Sequence, residues 1–163
     1  MQFQASIEEV KRAQAPHNLF ISGLFLFNLL MTPAIIALKV GLIGVLIPLF
    51  CSGALLGYIY LRSRRTTSWF VDAHWRLSFR HGKWLMLGYA ISASLILLAW
   101  LLSLTAHEAS MKHIMLTALT RIAVIPTLIA VMVTLVLEFG AAAQAVKSEV
   151  PDGMVAKFPP PAA

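Results

Sequence analysis

The side chains that could carry chemistry are few, and the first is a charge inside an apolar run. Residues 114–137 contain one charged side chain, Arg121. An ionisable group within a membrane span is by default a functional candidate, because its burial in lipid is costly. With Asn28, near the middle of the run 18–38, it predicts a polar path through a small oligomeric transporter or channel. Snorkelling of the long Arg121 side chain to the membrane surface, or local hydrogen bonding, is the simpler interpretation, and the polar path is the alternative.

A second group of potential ligands lies between two apolar runs. Residues 107–115 contain two imidazoles, one carboxylate and two thioethers, which are ligand types suited to copper or zinc. The spacing matches no established ligand motif, and Lys112 adds an opposing charge. A metal site at His107, Met111 and His113 is for these reasons only a third hypothesis. We predict no bound metal or other cofactor.

Haem ligation is the related redox hypothesis. It needs two imidazoles that face each other inside a helical bundle. His17 stands at the start of the first apolar run, whereas the other four histidines lie between runs. His74 or His81 could approach His17 on the cytoplasmic side, but no feature of the sequence requires this.

Motifs that define an enzyme are absent from the sequence. It has no GxSxG, HExxH, P-loop or GxGxxG pattern, and its one cysteine, Cys51, cannot form an internal disulfide or a CxxC motif. None of the apolar runs contains Asp or Glu, and Glu138 follows directly after the fourth. This absence counts against proton-coupled transport. We expect a non-catalytic protein.

The elements that must position these residues are four apolar runs. Hydrophobic residues make up 59% of the 163 residues and charged residues 12%, whereas soluble domains have roughly 45–50% and 25%. A spanning helix needs about 20 apolar residues, and every run is long enough. We predict an all-α integral membrane protein, an antiparallel four-helix transmembrane bundle, with spans at 18–38, 40–61, 84–106 and 114–137.

Three segments flank these spans. In the amphipathic N-terminal segment 1–17, Ser6 and Glu9 form a capping-box pattern that predicts a helix over 7–15, ending before Pro16. The loop 62–83 contains an amphipathic helix. In the segment 138–163 the last helix extends to about Val150, and a proline-rich tail follows that we expect to become ordered only with a partner.

Orientation follows from the basic residues. Ten Lys and Arg lie in the two terminal segments and the loop 62–83, and two lie on the opposite side. The positive-inside rule therefore places both termini and that loop in the cytoplasm, in a bacterial inner (plasma) membrane. The formal charge of +6 is explained without nucleic acid.

Cations and aromatic side chains of the loop 62–83 indicate a membrane surface. An amphipathic helix with basic residues around aromatic ones is typical of the headgroup layer over anionic lipid. Docking of a cytoplasmic partner is the alternative. The residues expected to serve one of these roles are Arg62, Arg64, Arg65, Trp69, Trp75, Arg76, Arg80 and Lys83.

Small residues recur at helical spacing in the later spans. Helices in lipid associate through small residues and interhelical hydrogen bonds. Packing within the bundle is the simplest interpretation, and a homo-oligomer or a partner helix is the alternative. The residues predicted to form these contacts are Gly53, Gly57, Gly88, Ser92, Thr120, Ala123, Thr127 and Ala130.

Taken together, these patterns favour packing over chemistry. The predicted function is that of an accessory, assembly or scaffolding subunit of a larger membrane complex. The other membrane-protein subunits of that complex and anionic lipid headgroups are the expected partners. A small transporter that uses Arg121 and Asn28 is the alternative, and a metal- or haem-binding membrane protein is the third interpretation.

Overall fold

The computed structural model describes residues 1–40 and 42–161, and these residues form an all-helical protein without strands. Four helices are long and apolar enough to cross a membrane, which marks the chain as an integral, multi-pass membrane protein. The predicted helical membrane class is thereby confirmed. These four helices are Ile7–Ala37, Leu46–Ser63, Trp69–Ser103 and Ala109–Val146.

The chain divides into two compact units. Its helices follow one another with short connections. The first unit comprises Met1–Gly82 and Leu135–Ala163, and the second comprises Lys83–Thr134. In chain order the elements are α1 (Ile7–Gly23), a π-helical segment (Leu24–Met31), α2 (Thr32–Ala37), α3 (Leu42–Ser63), α4 (Trp69–Ser103), α5 (Ala109–Ala123), α6 (Ile125–Val146) and α7 (Asp152–Val155).

The first helix begins where the sequence predicts but does not end there. The Glu9 N–H donates to Ser6 Oγ at 3.2 Å, and the Ser6 N–H donates to Glu9 Oε2 at 2.9 Å, which completes the capping box. The predicted end before Pro16 is wrong, because helical structure continues from Ile7 to Ala37. Proline within a helix removes one backbone hydrogen bond. Here Pro16 is buried together with His17 and Phe20, and this packing offsets that loss.

α4 joins two elements that the sequence predicts to be separate, the helix of the loop 62–83 and the third span. α4 runs without a break from Trp69 to Ser103, so the loop helix and the third span are one helix. Its 35 residues extend about 52 Å, beyond a hydrocarbon core of roughly 30 Å. Asp72 fixes its first turn by accepting the N–H of Thr67 at 2.8 Å and its hydroxyl at 2.7 Å.

Close packing in the second unit depends on Gly88. A Cβ at this position would overlap the Ala130 methyl group and lie 3.2 Å from the Pro126 carbonyl oxygen. One turn further along α4, Ser92 Oγ accepts the Thr127 N–H at 3.1 Å and lies 2.8 Å from Thr127 Oγ1. Within this unit, α4 and α6 therefore meet through small and hydroxyl-bearing residues.

The C-terminal segment is ordered by its own chain. The Val150 N–H donates to the Met1 carbonyl at 2.9 Å, and the Phe3 N–H donates to the Ser148 carbonyl at 2.8 Å. The α-amino group of Met1 lies 3.0 Å from an Asp152 carboxylate oxygen, although both groups are largely exposed. These bonds tie the two chain ends together beside α1.

An apolar cluster then holds the rest of this segment. Phe158 stacks on Trp69 with 6.1 Å between ring centroids, and the Arg76 guanidinium lies 3.7 Å from the centroid of the Phe158 ring. The expectation that only a partner orders the tail is wrong up to Phe158, because burial of apolar side chains supplies the ordering free energy. The buried members of the cluster are Ala13, Phe70, Ala73, Ala145, Val150 and Met154.

Leucine in place of Gly88 should lower stability, because the added side chain has to push α4 and α6 apart. Overpacking of this kind costs about 1–3 kcal/mol, which thermal unfolding in detergent would measure. Gly140→Leu is the matched control, since a Cβ at Gly140 meets no atom within 4 Å. Equal unfolding temperatures for the two variants would contradict the packing described for Gly88.

Phe158→Ala should release the C-terminal segment, because the substitution removes the ring that stacks on Trp69. We expect faster tryptic cleavage after Lys147, followed by mass spectrometry. Pro160→Ala is the control, since Pro160 is exposed and lies beyond the cluster. Cleavage at the wild-type rate in the Phe158 variant would show that the cluster does not hold this segment.

Candidate functional site: a buried histidine–glutamate network

Three helices of the first unit bring ionisable side chains together. α1 contributes His17, because its helix continues past Pro16. α4 contributes His74, Ser78 and His81, whose spacing of four and three residues puts them on one face of the helix. α6 contributes Glu138, one residue after the predicted end of the fourth span. We refer to these five residues as the histidine–glutamate network.

Glu138 is the centre of the network. Its Oε2 lies 2.7 Å from His17 Nδ1 and accepts a hydrogen bond from the Ser78 hydroxyl at 3.2 Å. Its Oε1 lies 2.8 Å from His81 Nδ1. Each carboxylate oxygen therefore has a partner from another helix, which satisfies a charge-bearing group that would otherwise be costly to bury.

The network extends from His17 to the end of α6. His17 Nε2 lies 2.9 Å from His74 Nδ1, and the two rings meet edge to face. His74 Nε2 donates to the Glu149 carbonyl oxygen at 3.2 Å. A continuous chain of hydrogen bonds therefore runs from His81 through Glu138, His17 and His74 to the backbone that follows α6.

The members of this chain of hydrogen bonds differ in how deeply they are buried. The side chains of His17 and Glu138 have no exposed surface, and His74 is equally buried. The His81 side chain retains 11% of its surface. In such a low-dielectric site, hydrogen bonds to a carboxylate are strong, and losing one of them is costly. The arrangement can therefore hold helices together and bind a proton.

The geometry of the network bears on the metal and haem hypotheses. The described residues contain no group of three or more His, Cys, Asp and Glu side chains that could hold a metal ion. Haem ligation would place His17 and either His74 or His81 on opposite sides of the iron. Instead, His17 and His74 contact each other directly through ring nitrogens, whereas bis-histidine ligation needs one imidazole on each side of the iron.

Sequence reasoning missed this site because it treated Glu138 as an end residue. The fourth membrane-crossing helix, Ala109–Val146, includes Glu138, so the absence of a carboxylate from the predicted spans is no argument against proton chemistry. One signal was available in the sequence. His74, Ser78 and His81 share a helical face, which is the pattern of a polar stripe directed at a partner.

The other predicted site residues are not members of the network. His107, Met111 and His113 are all exposed, as is Arg121 on α5. Asn28 donates to Ser52 Oγ at 3.3 Å, which is the interhelical hydrogen bond expected of a polar residue in a span.

The predicted packing residues fall into two classes. Gly88, Ser92, Thr127 and Ala130 come together in the second unit, where Ala123 is also buried, whereas the Thr120 hydroxyl donates within its own helix to the Leu116 carbonyl. Gly53 and Gly57 behave differently, because a Cβ at either position meets no atom within 4 Å. A side chain at either position would therefore meet open space within the described part of the chain.

The predicted membrane-surface residues are only partly at the surface. Trp75 is 6% exposed, packs against Tyr58 and lies beneath the Arg62 guanidinium, so it does not lie at the lipid surface as predicted. Trp69 and Arg76 contact Phe158. The residues that remain exposed are Arg64, Arg65, Arg80 and Lys83.

Comparisons with known proteins add no relative. No family model, no curated protein and no solved structure matches this chain. Function must therefore be argued from the geometry of its own residues.

Glu138→Ala should destabilise the protein strongly, because it leaves His17, His81 and Ser78 without their shared acceptor. Removal of one partner from a buried ionic pair costs about 3–5 kcal/mol. Thermal unfolding in detergent provides the measurement. Glu108→Ala, at an exposed glutamate, is the matched control and should unfold like the wild type.

A double-mutant cycle tests whether the pair acts as a unit. His17→Ala should cost less when Glu138 is already alanine, because the contact between the two residues is then absent. Additive effects, or a Glu138→Ala protein as stable as the Glu108 control, would contradict the proposed coupling.

Proposed function

We propose that this chain is a non-catalytic, multi-pass accessory, assembly or scaffolding subunit of a larger membrane complex. The observation that supports this proposal is the open surface around Gly53 and Gly57 on α3. We call this surface the α3 glycine face. It would contact a helix of another membrane protein.

The contrast with other glycines gives the α3 glycine face its weight. A Cβ at Gly23 would overlap Leu55, and one at Gly82 would overlap Leu56, so both glycines allow close packing inside the chain. Gly53 and Gly57 meet no such neighbour. A spacing of four residues puts them on one side of α3, where their lack of side chains lets a second helix approach closely.

Large apolar side chains extend this face in both directions. Leu46 and Phe50 precede the glycines at helical spacing and are 51% and 77% exposed, and Leu61 follows them at 64%. An incoming helix could therefore dock its own side chains between Phe50 and Leu61, and van der Waals packing of this kind is what associates helices in lipid.

The orientation of the chain belongs to the same proposal. Arg64, Arg65 and Arg80 are exposed and would lie near anionic headgroups on the cytoplasmic side of a bacterial inner membrane. Met1 and Val150 are hydrogen-bonded to each other, so the two terminal segments would lie on the same side of the membrane. In this orientation that side is the cytoplasm.

The test is co-purification from native membranes in a mild detergent, followed by mass spectrometry. We expect the tagged wild-type chain to recover a defined membrane partner. In a Gly53→Leu, Gly57→Leu variant, that recovery should fall by roughly tenfold, which corresponds to about 1.4 kcal/mol. Gly140→Leu, at a glycine of α6 that is equally open, should keep the partner.

Two outcomes would overturn the proposal. One is recovery of the wild-type chain only as a monomer or as a homo-oligomer. The other is a partner that both glycine variants retain equally, because the contact would then lie away from the α3 glycine face.

A further inference from the structure

The histidine–glutamate network has chemistry that the accessory role does not use. We propose that it is a proton-binding site, which holds one exchangeable proton and exchanges it with the outside through His81. This inference rests on the hydrogen-bond geometry of residues in the first unit. It is independent of whether a partner helix binds to the α3 glycine face.

The hydrogen-bond contacts of the network require a definite number of protons. The Glu149 carbonyl oxygen can only accept, so His74 Nε2 carries a proton. The contact between His74 Nδ1 and His17 Nε2 needs one proton, and the contact between His17 Nδ1 and Glu138 Oε2 needs another. Three contacts thus require three protons. Two neutral imidazoles and a carboxylate supply only two, so the intact geometry holds one more.

That additional proton has three places to reside. When it is on Glu138, the carboxylic acid donates to His17 Nδ1, and both imidazoles are neutral. Transfer along the 2.7 Å contact makes His17 an imidazolium beside a carboxylate. A further transfer along the 2.9 Å contact moves the positive charge to His74. Each step breaks one N–H or O–H bond and forms another, and the three groups together stay uncharged.

His81 connects this proton to the outside. Its Nδ1 faces Glu138 Oε1 at 2.8 Å, and its side chain is 11% exposed while Glu138 is fully buried. A proton that arrives at His81 Nε2 allows the Nδ1 proton to pass to Glu138 Oε1. Rotation of the carboxyl group then carries this proton to the side of His17, and the reverse sequence releases it. At the other end the Glu149 carbonyl cannot pass a proton on. The network is therefore a loading site with one route of exchange, not a continuous wire.

Loss of the additional proton has a structural consequence. Two protons cannot satisfy three contacts, so a bond between His17 and Glu138, between His17 and His74, or between His74 and Glu149 must be lost. The titratable groups in contact with Glu138 are His17 from α1 and His81 from α4. Raising the pH should therefore loosen α1, or the segment after α6, relative to α4 within the first unit.

Nuclear magnetic resonance of the full chain, labelled with ¹⁵N-histidine in lipid nanodiscs, tests the proposal directly. Ring-nitrogen shifts distinguish protonated from unprotonated nitrogens. We expect the ring nitrogens of His17, His74 and His81 to change protonation together in one transition as the pH is raised. His107 and His113 are exposed and are not members of the network, which makes them internal controls.

Two variants keep the test decisive. In Glu138→Gln the common transition should disappear, because the amide cannot take up the proton. In His81→Leu, exchange of the Glu138 and His17 protons with deuterium should slow by at least roughly tenfold, a factor equal to about 1.4 kcal/mol in the barrier. His107→Leu is the matched control and should exchange like the wild type.

Fixed tautomers of His17 and His74 across the whole pH range in the wild type would overturn the proposal, since the network would then be purely structural. A common transition that persists in Glu138→Gln would do the same. Unchanged exchange in His81→Leu would overturn the assignment of His81 as the route of exchange.

Discussion

The burial of one carboxylate constrains the first unit of this protein more than any other interaction. Glu138 has no exposed surface, and an isolated buried charge is too costly to persist. It is satisfied because His17 from α1 and His81 from α4 share hydrogen bonds with its oxygens at 2.7 and 2.8 Å, and the Ser78 hydroxyl donates a third. Such contacts depend on direction and distance, whereas apolar packing in lipid tolerates sliding. The carboxylate therefore fixes the rotation and height of α1 and α4 around α6.

Several departures from the sequence-based expectations follow from this constraint. A helix that ended before Pro16 would not carry His17 to Glu138, so continuation through the proline serves the network. In the same way, α4 has to be helical well before residue 84 to present His74 and His81 from one face. The segment after α6 is included as well, because the Glu149 carbonyl accepts from His74.

How much of this the sequence predicts depends on the kind of signal. Hydropathy identifies four membrane-crossing helices, since length and composition alone decide that property. The sequence also predicts that Gly88 and Ala130 take part in helix packing, because small residues at helical spacing indicate a packing surface. The partnership of His17 with Glu138 was not, because 121 residues separate them and periodicity does not tell which helices are neighbours. Nor does it show that a Cβ at Gly53 or Gly57 would meet open space.

Leu56 of α3 packs against the helices that carry the network. This buried side chain lies next to Gly57 in sequence and fills the space that a Cβ at Gly82 would need, where the Phe20 ring also approaches. Phe20 follows His17 by one helical turn, and Gly82 follows His81 directly. Because packed interiors transmit small displacements rather than absorb them, a helix that binds α3 would press on both partners of Glu138 through Leu56. Partner binding and proton binding would then favour or oppose each other by the same factor, as thermodynamic linkage requires.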